Sequence, residues 1–137
     1  TFQAQFQQAM SNYVKANPRG RIFVSSIPSI YRMWSVLHDD PSAAGTWQYY
    51  GICQSMLSAS NTDTDRRTVL AREIAFNKAL ANVCGKYNQC QWDGNAAFDF
   101  NLAASDFDTA DYFHPSISGQ NTLASVSWGA GFWSGRG

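Results

Sequence analysis

The stretch RIFVSSIP, Arg21 to Pro28, limits the possible fold more than any other part of the chain. Ile22, Phe23 and Val24 follow one another without polar alternation, and Gly20 and Pro28 bound the segment. A continuous apolar run between turn residues predicts a buried strand, as in a sheet covered by helices. One other stretch, CQWDGNAAFDF, predicts a short strand followed by a turn. Two strands do not by themselves make a stable sheet with helices on both faces. The sequence therefore predicts an α/β unit whose sheet is incomplete.

Helical spacing fills most of the remainder. Phe2, Phe6, Met10 and Tyr13, with Ala9 and Val14, form one apolar stripe that Pro18 and Gly20 should end. The longest predicted helix runs through SNTDTDRRTVLAREIAFNKALANVC, capped by Thr62 or Asp63. Its expected buried side is Val69, Leu70, Ile74, Phe76, Leu80 and Val83. A closing helix is predicted in HPSISGQNTLASVSW, with Ile117, Leu123 and Ala124 facing inward. Residues 29–61 show no clear period and are expected to hold one or two short helices. The final GAGFWSGRG has no expected place in the packed unit. Helix, strand, loop, helix, strand, loop, helix is the order of a parallel α/β sandwich.

Composition excludes several function classes. Ten basic residues balance ten acidic ones without a basic run, which argues against a nucleic-acid partner. No apolar stretch approaches the roughly 18 residues of a membrane-spanning helix, so an integral membrane protein is not expected. TFQAQFQQAM reads as helix rather than signal peptide, and a start on Thr1 suggests a processed or truncated product. Cys84 and Cys90 flank the polar loop GKYNQ at a spacing that a local disulfide can close. Together with many Ser, Thr, Asn and Gln, this predicts an oxidising, secreted setting. Cys53 is left over, either as a buried free thiol or with a partner elsewhere.

The chemistry concentrates in DYFHPSISGQ, Asp111 to Gln120. A serine hydrolase needs an imidazole to take the hydroxyl proton and a carboxylate to hold that ring. Asp111 and His114 can meet within one turn, and Pro115 suits the first turn of a helix. The same three residues also describe an ordinary Asp-to-His hydrogen bond at a helix start. His38, Asp39 and Asp40 raise a metal-dependent alternative, but without a convergent third ligand a solvated loop is expected and no metal. Tyr31, Trp34 and Trp47 are candidate walls of a substrate pocket; Trp34 and Trp47, with Tyr49 and Tyr50, serve equally as cover for a sheet edge. Ser25, Ser26, Ser29 and Ser116 are the serines positioned to be considered as nucleophiles, but Ser116 fits better as the cap of the final helix and no glycine-flanked nucleophile turn surrounds Ser25 or Ser26.

Taken together, IPSIYRMW after a strand, NKALANVC closing a long helix, and DYFHPSISGQ leading into the last helix resemble the C-terminal part of SGNH (GDSL-type) ester hydrolases. The likeness is greatest to secreted actinobacterial members and spans Thr1 to about Trp128. It implies an α/β fold, namely part of a flavodoxin-like three-layer α/β/α sandwich with a parallel sheet, N-terminal strands missing. Residues 1–128 would be the hydrolase segment and 129–137 a Gly/Trp-containing tail. The resemblance implies that His114 is the general base and Asp111 its orienting acid, with no cofactor. The substrate would be a carboxylic ester, of a lipid or an acetylated glycan. The family's Gly-Asp-Ser, glycine and Gly-x-Asn-Asp blocks do not occur here. A missing N-terminal half is therefore the expected partner, and would also offer a partner for Cys53. A non-catalytic binding module that keeps the fold is the rival reading. An exposed apolar surface along Ile22–Val24 and the first helix, prone to association, follows from the same expectation.

Overall fold

A computed structural model describes residues 1–135; the last two residues of the tail expected over 129–137 lie outside the described residues. The chain is mostly helical with one small sheet. Helix α1 (Phe2–Ala16) leads through the Pro18 turn to strand β1 (Ile22–Val24). Three helices follow, α2 (Ile30–Leu37), α3 (Pro41–Tyr50) and α4 (Gln54–Leu57). Long helix α5 (Asp63–Cys84) leads to strand β2 (Cys90–Trp92) and the short α6 (Ala96–Asp99). A 3-10 turn at Ala104–Asp106 and helix α7 (Ile117–Ala130) complete the described chain. The 29–61 stretch is more regular than its sequence suggested, because local caps do what periodicity does not. Ser29 Oγ accepts from Arg32 N, Asp40 accepts from Ser42 N ahead of Pro41, and Gly51 closes α3 at a φ of 64°.

Strands β1 and β2 pair in parallel, with Ile22 opposite Cys90 and Val24 opposite Trp92. Their connection is the whole run from α2 to α5, as a parallel crossover requires. Val24 packs with Leu80 and Cys84 of α5, joined by Phe6, Ile22, Cys90 and Trp92. Phe23 points to the other face, where Trp133 meets it edge-on at 5.5 Å. On that face Gln91 Nε2 donates to the Ala130 carbonyl at 2.6 Å. The glycine-rich tail is therefore not unplaced: α7 continues to Ala130, and Phe132 lies under the Arg21 guanidinium at 5.1 Å. The apolar surface expected to be bare on β1 is half covered, while Phe2 and Tyr13 of α1 remain exposed. The Cys84–Cys90 disulfide forms, with Cα atoms 5.4 Å apart, and ties the end of α5 to the start of β2. Cys53 is a free, half-buried thiol. No described helix is long and apolar enough to cross a membrane.

A second, larger core lies beneath α2, α3 and α4, built from Met33, Leu37, Ala43, Trp47, Met56, Leu57, Leu102 and Phe107. Helix α5 serves both cores, but the side it buries differs from the apolar stripe expected. Leu80 and Val83 are buried, whereas Ile74 is 49% exposed. The inward positions toward α2 and α4 are Arg66, Glu73 and Asn77, spaced seven and four apart on one helical face. Each meets backbone groups of other segments. Arg66 donates to the carbonyls of Met56, Ser58 and Asn61 at 2.7–3.0 Å and covers the Trp34 ring at 4.3 Å. Glu73 Oε1 accepts from Ile30 N, the first residue of α2, at 3.0 Å. Asn77 clamps the Ile27 peptide groups, accepting from Ile27 N at 2.8 Å and donating to Ile27 O at 3.1 Å. On α7, Ile117 is 80% exposed and Ala124 also faces solvent; Leu123 is half-buried, and the buried position of the first turns is Gly119.

Burial drives the Glu73 carboxyl pKa up, and the N–H groups of Ile30 and Tyr31 reverse this only in part. Its Oε2 is buried without a hydrogen-bond partner. A carboxyl with a raised folded-state pKa favours folding fully below its unfolded pKa, and that contribution is lost as pH rises through the folded value. The Glu73→Gln variant lacks this titration and keeps an oxygen for Ile30 N. Its stability relative to the parent chain, measured by urea unfolding, should improve steadily from about pH 4 toward neutrality. A difference independent of pH would show that Glu73 titrates normally.

Candidate active site

Residues 107–116 form a closed loop that projects Asp111 and His114 from the base of α7. Phe107 and Pro115 pair as an isolated antiparallel bridge, with Asp108 N donating to His114 O at 2.9 Å. Ser116 N donates to Asp106 O at 2.8 Å. Ser116 Oγ caps α7 by accepting from Gly119 N at 3.1 Å, the role its position predicted, and donates to Ser105 O. Gly119 lets α7 lie directly on the 3-10 turn: a Cβ there would stand 2.0 Å from Asp106 O. The loop thus springs from two backbone-locked ends.

Within it, Asp111 uses both carboxylate oxygens. Oδ1 accepts from Phe113 N at 2.9 Å and His114 N at 3.0 Å. Oδ2 meets His114 Nδ1 at 2.5 Å. Burial raises the carboxyl's pKa, but the hydrogen bonds from the His114 ring, His114 N and Phe113 N outweigh it and hold Asp111 below the ordinary carboxylate range. An ionised carboxylate only accepts, so Nδ1 is the donor in this bond, and in the neutral form of the ring the lone pair falls on Nε2. The His114 side chain is 74% exposed, against 31% for Asp111. Nε2 hydrogen-bonds nothing among the described residues. One nitrogen is held and the other is free, which is the asymmetry a general base needs.

An apolar hollow of about 200 Å³ opens beside this ring. His114 and Pro115 form one wall, and Ile27, Met33, Phe107, Phe113 and Leu123 are among the others. These linings come from the β1–α2 link, α2, the loop and α7, the same link that Asn77 and Glu73 hold from α5. Sequence reasoning marked only Leu123 of these side chains as inward-facing. Met33 and Phe107 gave no separate signal, since a pocket wall and a core wall share one composition.

The other candidates sit elsewhere. Trp34 and Trp47 line a separate hollow of about 270 Å³ with His38 and Arg66, and Tyr31 donates its hydroxyl to Asp63 Oδ1 at 3.2 Å. None of these three reaches the hollow beside His114. His38 ends α2, stacks on Trp34 at 4.4 Å and lies 3.4 Å from the exposed Asp39. Among the described residues no three His, Cys, Asp or Glu side chains converge on one point. None of the four serines hydrogen-bonds the imidazole, although Ser29 lines the hollow beside it. Ser26 Oγ donates to the buried Asp93 at 2.7 Å, and Ser25 Oγ approaches the same carboxylate at 3.4 Å. Ser29 and Ser116 cap helices. No protein-family model, curated protein or solved structure matches this chain.

Because the folded-state pKa of Asp111 is depressed, its contribution to the loop is present above the ordinary carboxylate pKa of about 3.9 and lost as pH falls through the lower folded value. In an NMR titration the Phe113 and His114 amides should therefore shift together, with a midpoint below that of aspartate in a short peptide. A midpoint at or above the peptide value would contradict the bonded geometry.

Proposed function

We propose that this chain is the histidine- and aspartate-bearing part of an SGNH-type serine ester hydrolase, acting on carboxylic esters through an acyl-enzyme. The observation that carries the reading is the His114 ring itself: Asp111 holds Nδ1, Nε2 is free, and an apolar hollow lies alongside. In the proposed mechanism a serine approaches His114 Nε2, and the imidazole takes its proton as the hydroxyl oxygen attacks the ester carbonyl. Asp111 keeps the ring in the Nδ1–H form and stabilises the imidazolium. Nε2 then returns the proton to the departing alcohol, and water repeats the sequence to release the acid.

The nucleophile and the oxyanion donors are proposed to come from an N-terminal segment carrying Gly-Asp-Ser and Gly-x-Asn-Asp blocks. The small sheet supports such a partner. Ile22 N and Val24 O bond toward β2, and among the described residues no strand pairs with the opposite edge of β1, where a further parallel strand could add. With α1 and α5 over one face and the end of α7 over the other, the completed unit would be the flavodoxin-like three-layer sandwich. The disulfide is consistent with an oxidising, extracellular location, and we propose secretion. The apolar lining favours the acyl chain of a lipid-like ester over an acetylated glycan as the group held beside His114.

The test is reconstitution. The chain joined to a segment bearing those two blocks should hydrolyse p-nitrophenyl esters. His114→Ala should lower kcat by at least about 100-fold, and Asp111→Asn should lower it sharply while leaving KM close to unchanged. Full activity with His114→Ala would end the reading. A correctly folded but inactive reconstituted protein would favour the binding-module alternative.

A further inference from the structure

We propose that Trp47 is a positioning residue for His114, acting through the backbone of Tyr112. Tyr112 stands between Asp111 and the histidine at a φ of 55°, in the left-handed region that a bulky side chain rarely adopts. Such a conformation persists only where its surroundings impose it. Two hydrogen bonds do so. Tyr112 N donates to Asp108 O at 2.8 Å, inside the loop. From outside it, the indole Nε1 of Trp47 donates to Tyr112 O at 3.0 Å.

Trp47 is well suited to the task. It is 1% exposed, on α3, within the core that also holds Met33 and Phe107 of the hollow's wall. An indole so buried needs an acceptor for its one N–H, and the carbonyl it finds belongs to the strained residue. The reversal at Tyr112 turns the chain so that the N–H groups of Phe113 and His114 both reach Asp111 Oδ1, with the ring on Oδ2. Were Tyr112 to relax to a negative φ, its carbonyl would swing and this three-point grip would open. Trp47 thereby couples the packed core to the aim of an exposed imidazole. The inference rests on the acid–base reading of His114 for its functional meaning, but its test reads geometry, so the two can fail separately.

The test compares Trp47→Phe, which keeps a large ring and removes the donor, with Leu80→Ala in the other core. NMR of the whole chain supplies two readouts. The HN–Hα coupling and intraresidue NOE of Tyr112 report the sign of φ, and the exchange rate of the His114 Nδ1 proton reports its bond to Asp111. Trp47→Phe should abolish the positive-φ signature and speed Nδ1 exchange on the order of tenfold, the effect of one lost hydrogen bond. Leu80→Ala should lower the unfolding midpoint while leaving both readouts unchanged. Trp47→Phe with Tyr112→Gly separates loss of the clamp from loosened packing, since it carries the same core change. Glycine takes φ near 55° without the clamp, so slow Nδ1 exchange should return. Retention of positive φ and slow exchange in Trp47→Phe, or equal effects in Leu80→Ala, would overturn the proposal.

Discussion

The structure depends on polar side chains buried along one face of α5. Arg66, Glu73 and Asn77 satisfy three carbonyls around α4, the first N–H of α2 and both peptide groups at Ile27. Unpaired backbone groups in these places would each cost roughly 1–3 kcal/mol, and a short helix such as α4 cannot supply its own partners. The stripe joins the sheet's core to the helical core and fixes the link between β1 and α2. That link forms one side of the hollow against which His114 stands. Replacing the stripe with leucines would improve apolar burial and remove what specifies the arrangement.

The site repeats the same logic on a smaller scale. A loop of ten residues, 107–116, would ordinarily be mobile. Here its ends are pinned by a backbone bridge and a helix cap, and its tip is gripped by a carboxylate with three donors. The exposed imidazole gains direction without being buried, so its free nitrogen stays open to an incoming group. The apolar hollow beside it costs the fold little, because its walls are also core residues.

Much of the scaffold was legible in the sequence. Both strands, the extents of α1 and α5, the Ser116 cap and the Cys84–Cys90 bridge all follow from local rules that act within a few residues. The misplaced faces of α5 and α7 share one cause: the rule used assumed that apolar residues face inward. On α5, Ile74 is exposed while Arg66 and Asn77 are buried, because hydrogen-bond demand from distant backbone decided those positions. On α7, Ile117 is exposed because the face turned inward is that of Gly119, which lies against the Asp106 backbone. Trp47 was legible as a large ring for a pocket wall or the cover of a sheet edge, but its place in the helical core and the direction of its N–H were not. Tyr112 gave no sign of its left-handed backbone, which a sequence signals only when glycine or asparagine stands there. The pairing of Asp111 with His114 was readable because both partners lie within one turn.

The central claim is that His114 is held as a base with Nε2 free. The most direct measurement is the nitrogen-15 imidazole NMR spectrum of His114 in the whole chain near neutral pH. The account predicts the Nδ1–H tautomer, with an Nδ1 proton shifted downfield by its bond to Asp111 and a bare Nε2, and loss of that signature in Asp111→Asn. A predominantly Nε2–H ring, or a spectrum that Asp111→Asn leaves unchanged, would contradict it.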